Sequence, residues 1–212
     1  MSAMQPQRVD IPLGLGPAPE EASRADLYAL IGRLFYAPPD AELMGMIAGT
    51  VLLGEGDDNA LRNCWSALQE ACRKADVQAV EDEFNTLFVS VGQSAINPLG
   101  SFYMTGFLND RPLGDLRMEL DRIGFRKLKP SAETEDHLSA LADVMRLMIL
   151  GGAEGGAAPI EAQQAFFERF IKPWYARLAA DLEGSGSASF YKLVGRLTKA
   201  FFDVESASFE IA

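Results

Sequence analysis

The least polar segment of the chain is residues 138–150, with the sequence LSALADVMRLMIL. Its large apolar side chains cover almost the whole circumference of a helix, a pattern typical of a helix enclosed by its neighbours. They are Leu138, Leu141, Val144, Met145, Leu147, Met148, Ile149 and Leu150. The segment therefore predicts a central helix, with the other elements packed around it.

The rest of the chain carries apolar stripes at helical spacing. The stripes lie at residues 27–35, 61–72, 77–91, 167–178 and 190–201. We expect the first helix to begin at Ser23 and to end before Pro38, and Pro173 to kink or break the helix around it. Shorter helices are predicted at 40–50, 101–107 and 112–123, the second of them capped by Ser101.

The chain has no alternating strand pattern of useful length, so we predict an all-α fold. It should form a single globular domain of about eight to ten helices over residues 22–212. Residues 1–21 are punctuated by Pro and Gly without periodicity and are predicted to form a flexible N-terminal arm. The turn-rich stretch 92–100 is predicted to be an ordered loop or a hinge.

The charge balance excludes several classes of partner. Among 212 residues, 30 Asp and Glu oppose 19 Lys and Arg, which gives a net charge of −11. Such a chain is repelled by nucleic acid and by anionic membranes, and a basic partner is favoured. Cys64 and Cys72 are too few for a disulfide framework, and no apolar run is long enough for a signal peptide or a membrane span. We therefore expect a cytoplasmic protein with reduced thiols.

Motifs for catalysis are missing from the sequence. It has no P-loop, dinucleotide fingerprint, nucleophile elbow or CxxC pair. Thr134, not Glu, stands three residues before the single histidine, His137, so the Glu-x-x-His motif of di-iron bundles is absent. Ser101 and His137 could join a triad, but nothing places an oxyanion hole. We expect no catalytic residues, no metal and no cofactor; the alternative is a nucleotide-binding protein or hydrolase that uses Asp136 and His137.

Two islands of sequence differ from ordinary helix-forming sequence. The first includes FNTLF at 84–88 and PLGSFY at 98–103, and the second is EDHL at 135–138. With the YxxIxxLF pattern at 28–35 and with Trp174, they resemble the TorD/DmsD/NarJ family. Each motif is weak alone, but their order matches from about residue 23 to residue 203.

The resemblance implies an all-helical cytoplasmic chaperone for redox enzyme maturation. Its partner would be the apo-form of a molybdenum-cofactor oxidoreductase subunit, whose twin-arginine signal peptide it binds. Binding would hold the subunit for cofactor insertion and delay its export. The resemblance also raises GTP association, and it is compatible with either a monomer or a homodimer.

The resemblance implies that the loop 98–101 and the pair Asp136-His137 line the surface that receives the peptide. A cationic head followed by an apolar segment requires carboxylates beside an apolar groove. Carboxylates at 135 and 136 and aromatic rings at 84, 88 and 103 fit this requirement, and Gly100 allows a backbone to approach closely. The candidate peptide-binding residues are Phe84, Phe88, Pro98, Leu99, Gly100, Ser101, Tyr103, Glu135, Asp136 and His137.

Each candidate also has a purely structural interpretation. Phe84 and Phe88 lie on a core stripe, and His137 could be a capping or core residue. Asp136 could complement a helix dipole, and Ser101 could be a helix cap. If Asp136 and His137 bind the peptide, replacing both with Ala should weaken binding and shift the thermal midpoint by only a few degrees.

Overall fold

The computed structural model describes residues 18–50, 60–89, 95–126, 133–151 and 156–211. Within these ranges the chain forms ten α-helices. They are α1 Pro19–Tyr36, α2 Ala41–Gly49, α3 Ala60–Lys74, α4 Val77–Phe84, α5 Gly100–Thr105, α6 Arg111–Arg122, α7 Leu138–Leu150, α8 Ile160–Phe170, α9 Tyr175–Gly184 and α10 Phe190–Ile211. A π-helical segment, Asn85–Val89, continues α4. These elements confirm the all-α prediction.

The helix α7 is central, as its sequence predicts, and it packs closely along α1. Gly32 on α1 permits the approach, because a Cβ built there would lie 3.3 Å from the carbonyl oxygen of Ser139. Leu138, Leu141 and Met145 are at most 1% exposed. The core therefore gathers around the pair α1 and α7, which brings the N-terminal part of the chain against residues more than 100 positions later.

Several predicted helix boundaries differ from the structure for local reasons. The helix α1 begins at Pro19, not Ser23, because proline is preorganised for the first turn and two acidic residues follow it. The Ser23 hydroxyl donates to the carbonyl of Pro19 and does not cap the helix. The helix α5 ends at Thr105, because Gly106 adopts a φ of 85°, and this leaves Phe107 71% exposed. The predicted break around Pro173 is confirmed by the turn between α8 and α9.

The first turn of α10 is capped by a carboxylate from another helix. Glu83 on α4 accepts hydrogen bonds from the backbone N–H groups of Ser189, Phe190 and Tyr191, at 2.8, 3.1 and 2.8 Å. These N–H groups have no partner within their own helix. Glu83 therefore joins the α4 helix to the C-terminal helix.

A buried polar network joins α1 to α10. Both carboxylate oxygens of Glu205, which is 2% exposed, accept hydrogen bonds at 2.8 Å from the guanidinium of Arg24. The Tyr28 hydroxyl donates to the same carboxylate at 2.9 Å. Burial and the nearby Glu205 charge raise the pKa of Tyr28 well above 10.0. The network pairs a buried charge that would otherwise destabilise the fold.

Some sequence predictions lie outside the described residues. They are the arm up to residue 17 and the part of the 92–100 loop before residue 95. In the described part of the chain, no helix is both long enough and apolar enough to cross a membrane.

Candidate functional site

The structure brings the two islands of sequence into direct contact. The backbones of Leu99 and His137 form an isolated antiparallel bridge. Beside it, the Gly100 N–H donates to the carbonyl of Asp136 and the Leu138 N–H donates to the carbonyl of Pro98, both at 2.9 Å. We call residues 98–101 and 134–138 the α5–α7 junction. It fixes the start of α5 against the start of α7.

Asp136 is buried in this junction, with an exposed fraction of 3%. Its Oδ2 accepts a hydrogen bond of 2.8 Å from the backbone N–H of Ser101, and its Oδ1 accepts one from the Thr134 hydroxyl. The helix α5 has Leu99 at its N-cap, which offers no side-chain acceptor, so Asp136 supplies the cap from 35 residues away. The predicted Ser101 cap is therefore wrong. An arginine from outside would reach this carboxylate only by exchanging these bonds.

His137 is the N-cap of α7, which confirms its capping interpretation. Its Nδ1 accepts a 3.2 Å hydrogen bond from the Ser139 N–H and lies 2.6 Å from the Ser139 hydroxyl oxygen. Its Nε2 lies 3.9 Å from a carboxylate oxygen of Glu133. Burial lowers the pKa of His137, and the charges of Glu133 and Asp136 oppose this shift. A neutral ring with its proton on Nε2 fits this geometry.

Gly100 allows a close approach, and the group that approaches is Trp174. A Cβ at position 100 would lie 3.3 Å from the indole Nε1, which donates to the carbonyl of Phe170. The Tyr103 ring stacks on Trp174 with ring centroids 5.4 Å apart, and its hydroxyl donates to Asp181 at 2.8 Å. Gly100 and Tyr103 therefore pack the junction onto the fully buried Trp174.

Phe84 and Phe88 belong to a different cluster of aromatic rings. Phe88 contacts Phe84, Phe35 and Tyr191, with ring centroids 5.0 to 5.8 Å apart. Phe84 is 5% exposed, as its core interpretation requires, whereas Phe88 is half-buried. Nine of the ten candidate residues thus divide between this cluster and the α5–α7 junction, and Tyr103 packs beside the junction on Trp174.

Only three of the ten candidates are partly exposed. These are Phe88, Leu99 and Glu135. Glu135 forms an ion pair of 2.8 Å with Arg117 on α6. Leu99 and Glu135 therefore reach solvent at the junction and Phe88 reaches it at the aromatic cluster. The buried candidates hold the backbone in place.

A cavity of about 330 Å³ lies between α1 and α7, next to the junction. Carboxylates of Glu133 and Asp143, the guanidinium groups of Arg33 and Arg146, and the ring of Tyr36 contribute to its lining. Tyr36 is 58% exposed. Sequence reasoning missed this cavity because its two walls are about 100 residues apart in the chain. The signal that could have found it is the acidic pair that flanks His137 at positions 133 and 143.

Comparison with known sequences supports the resemblance to the TorD/DmsD/NarJ family. The sequence model of a family described as "Nitrate reductase delta subunit" matches residues 55–180, which is more than half of the chain. The chain belongs to this family. The resemblance to TorD/DmsD/NarJ proteins is thereby confirmed, and the family is one of maturation chaperones and not of catalytic enzymes.

Three relatives are similar to this chain over most of its length. The chain is 26% identical over 200 residues to a "Chaperone protein TorD" from Photobacterium profundum, covering 87% of this chain and 93% of the relative. It is 24% identical over 174 residues to a "Chaperone protein TorD" from Vibrio parahaemolyticus, covering 74% and 78%. An uncharacterised Haemophilus influenzae protein is 26% identical over 181 residues, covering 80% and 85%.

A solved structure shares the fold. It is the crystal structure of a proposed redox enzyme maturation protein from Archaeoglobus fulgidus. The two folds align with a TM-score of 0.56 at 16% identity, covering 90% of this chain and 98% of the other. At this identity the likeness shows the all-helical fold alone.

Proposed function

We propose that this chain is a chaperone that binds the twin-arginine signal peptide and the apo-form of a molybdenum-cofactor oxidoreductase subunit. It holds the subunit in the cytoplasm for cofactor insertion and delays export. Family membership supports the broader role in redox enzyme maturation. The structural observation that carries the peptide proposal is the cavity beside the α5–α7 junction, where carboxylates and an exposed aromatic ring meet.

The cavity has suitable chemistry for an arginine head group. Carboxylates bind guanidinium groups through strong, geometrically specific hydrogen bonds, and Glu133 and Asp143 offer two such groups with side chains 47% and 59% exposed. Asp143 already pairs with Arg146 at 3.0 Å, so an incoming arginine would compete for this partner. Tyr36 supplies a ring face on which a guanidinium can stack.

The candidate residues then have two different roles. Asp136 and His137 are positioning residues, because their hydrogen bonds fix the starts of α5 and α7. The partly exposed Leu99, Glu135 and Phe88 are the candidates for direct contact with the peptide. The net charge of −11 accelerates encounter with a cationic leader and makes binding weaker at high salt.

The test is a titration of labelled leader peptides that carry Arg-Arg, Lys-Lys or Ala-Ala at the head. We expect the Arg-Arg peptide to bind at least about tenfold more tightly than the Ala-Ala peptide, because two charge-assisted contacts are lost. Glu133→Gln and Asp143→Asn should each weaken Arg-Arg binding by up to about fivefold, since an exposed ion pair contributes up to about 1 kcal/mol.

The matched control is Glu183→Gln. Glu183 is a half-exposed carboxylate on α9 that pairs with Arg196, as Asp143 pairs with Arg146, but it lies outside the cavity. The control should leave peptide affinity unchanged. Equal affinity for all three peptides would refute leader binding, and equal effects of all three variants would refute this cavity as the site.

A further inference from the structure

An apolar groove of about 610 Å³ lies between α1, α2 and α3, next to the cavity described above, with which it shares Ala29 and Arg33. Its apolar lining comprises Leu27, Leu30, Leu43, Met46, Ile47, Leu61 and Trp65. Met46 is 55% exposed and Leu27, Leu30 and Leu43 are only partly buried. An open groove with so many apolar side chains is suited to an apolar occupant.

We propose that this groove binds the chain's own N-terminal arm, through residues 9–15. Their sequence is VDIPLGL, in which Val9, Ile11, Leu13 and Leu15 occupy every second position. In an extended backbone, side chains two residues apart lie on the same face. This alternation covers only seven residues, too few to predict a strand of a sheet, but it fits a single extended segment, and Pro12 favours that extended conformation.

The length of the arm matches the groove. Along α1 the groove extends from Ser23 to Arg33, ten steps that span about 15 Å at 1.5 Å each. Residues 9–15 span six steps, or about 20 Å when extended. Residues 16–18 remain for the reversal before α1 begins, and Gly16 and Pro17 are turn formers. The apolar face of the arm can thus cover the groove from end to end.

Tethering favours the arm over other apolar occupants. A segment joined to its site by three residues has an effective concentration in the millimolar range or above. Weak contacts by four apolar side chains are then enough to keep the groove occupied. A second copy of the chain, or an apolar peptide from a client, would have to displace a segment that stays covalently attached beside the groove.

The inference also gives the arm a regulatory role. If the apolar segment of a leader uses this groove, the arm competes with it; this consequence alone rests on the proposed function. Docking of the arm needs no leader, so the experiment below is performed without one. Its failure therefore differs from a failure of leader binding.

The test is disulfide formation in the full chain, with Cys64 and Cys72 replaced by Ala. Leu13→Cys is paired either with Met46→Cys in the groove or with Met118→Cys, a 65% exposed position on α6 outside it. We expect the Met46 pair to oxidise at least about tenfold faster, within one chain and independently of protein concentration. Adding Ile11→Ser and Leu15→Ser should remove most of this advantage, which separates docking from mere tethering.

Trypsin provides a second measurement in the chain with its native cysteines. Arg8 directly precedes the proposed docked segment, so cleavage after Arg8 should be at least about fivefold faster in the variant with Ile11→Ser and Leu15→Ser than in the wild type. The control Gln5→Ser should cleave at the wild-type rate. Unchanged cleavage, an oxidation rate insensitive to the Ser substitutions, or a disulfide that joins two chains would overturn the proposal.

Discussion

Replacing Asp136 with Ala should destabilise the whole protein. The substitution removes both acceptors of a carboxylate that is 3% exposed, namely those that serve the Ser101 N–H and the Thr134 hydroxyl. The Ser101 N–H belongs to the first turn of α5 and would be left buried without a partner. This loss concerns the α5–α7 junction, and it requires no peptide.

The magnitude follows from the number and kind of bonds. A hydrogen bond to a charged group contributes about 1.5–3 kcal/mol, and an unsatisfied buried donor costs about 1–3 kcal/mol. Because these contributions overlap, we expect a loss of about 3 kcal/mol in the free energy of unfolding. For a chain of this size that corresponds to a fall of about 6–12 °C in the thermal midpoint. Asp136→Asn retains one acceptor and should lose about half as much.

The assay is thermal unfolding followed by circular dichroism, with Asp26→Ala as the control. Asp26 is an exposed carboxylate on α1, and its removal should change stability by no more than about 0.5 kcal/mol. If the midpoint of Asp136→Ala stays within about 2 °C of the wild type, the capping role is refuted. That result would agree with the expectation from the sequence, in which replacing Asp136 and His137 together shifts the midpoint by only a few degrees.

Three further predictions concern single residues. Gly100→Ala should lower the free energy of unfolding by about 1–2 kcal/mol, because the new Cβ would lie 3.3 Å from the indole of Trp174. The control Gly114→Ala, at an open helical position, should stabilise the protein by about 0.5–1 kcal/mol in the same denaturant titration. Burial lowers the pKa of His137 in the folded state, so the contribution of this residue to stability is complete above about pH 6.5 and is lost as the pH falls below that value. The thermal midpoint of the wild type should therefore fall relative to that of His137→Asn between about pH 7.5 and pH 5.5. Parallel curves for the two proteins would contradict this. Glu205→Gln should cost about 3 kcal/mol by urea unfolding, since it leaves the guanidinium on α1 without its buried counter-charge, and a loss below about 1 kcal/mol would contradict the importance of that pair.

Local patterns predicted the helices well because each pattern and its cause lie in the same segment. The helices predicted at 40–50 and 112–123 begin at Ala41 and Arg111, each within one residue of the prediction, and Asp40 caps the first of them. The positive φ of Gly124 follows the end of α6 in the same way. The apolar composition of residues 138–150 also identified α7 as the central helix, since its apolar side chains cover so much of its surface.

The roles of the candidate residues could not be predicted in this way. Nothing in the sequence near Asp136 shows that its carboxylate caps α5, because the N–H group it serves is 35 residues away. The same holds for Gly100, whose close neighbour is an indole at position 174. The resemblance found the correct islands because they form one junction, but only the packing shows which side chains remain open to a peptide.

The Glu83 carboxylate that caps α10 has a consequence for how the chain folds. Its partners are 106 to 108 residues away, so the first turn of α10 gains these bonds only after most of the chain has been placed. In the same way, the first turn of α5 gains its hydrogen bond from Asp136 only after residues 35 positions apart have come together. Contacts between residues so distant in sequence slow folding and join its steps into one event. We expect the chain to unfold in a single cooperative transition, in which α10 does not survive once α4 has separated from it.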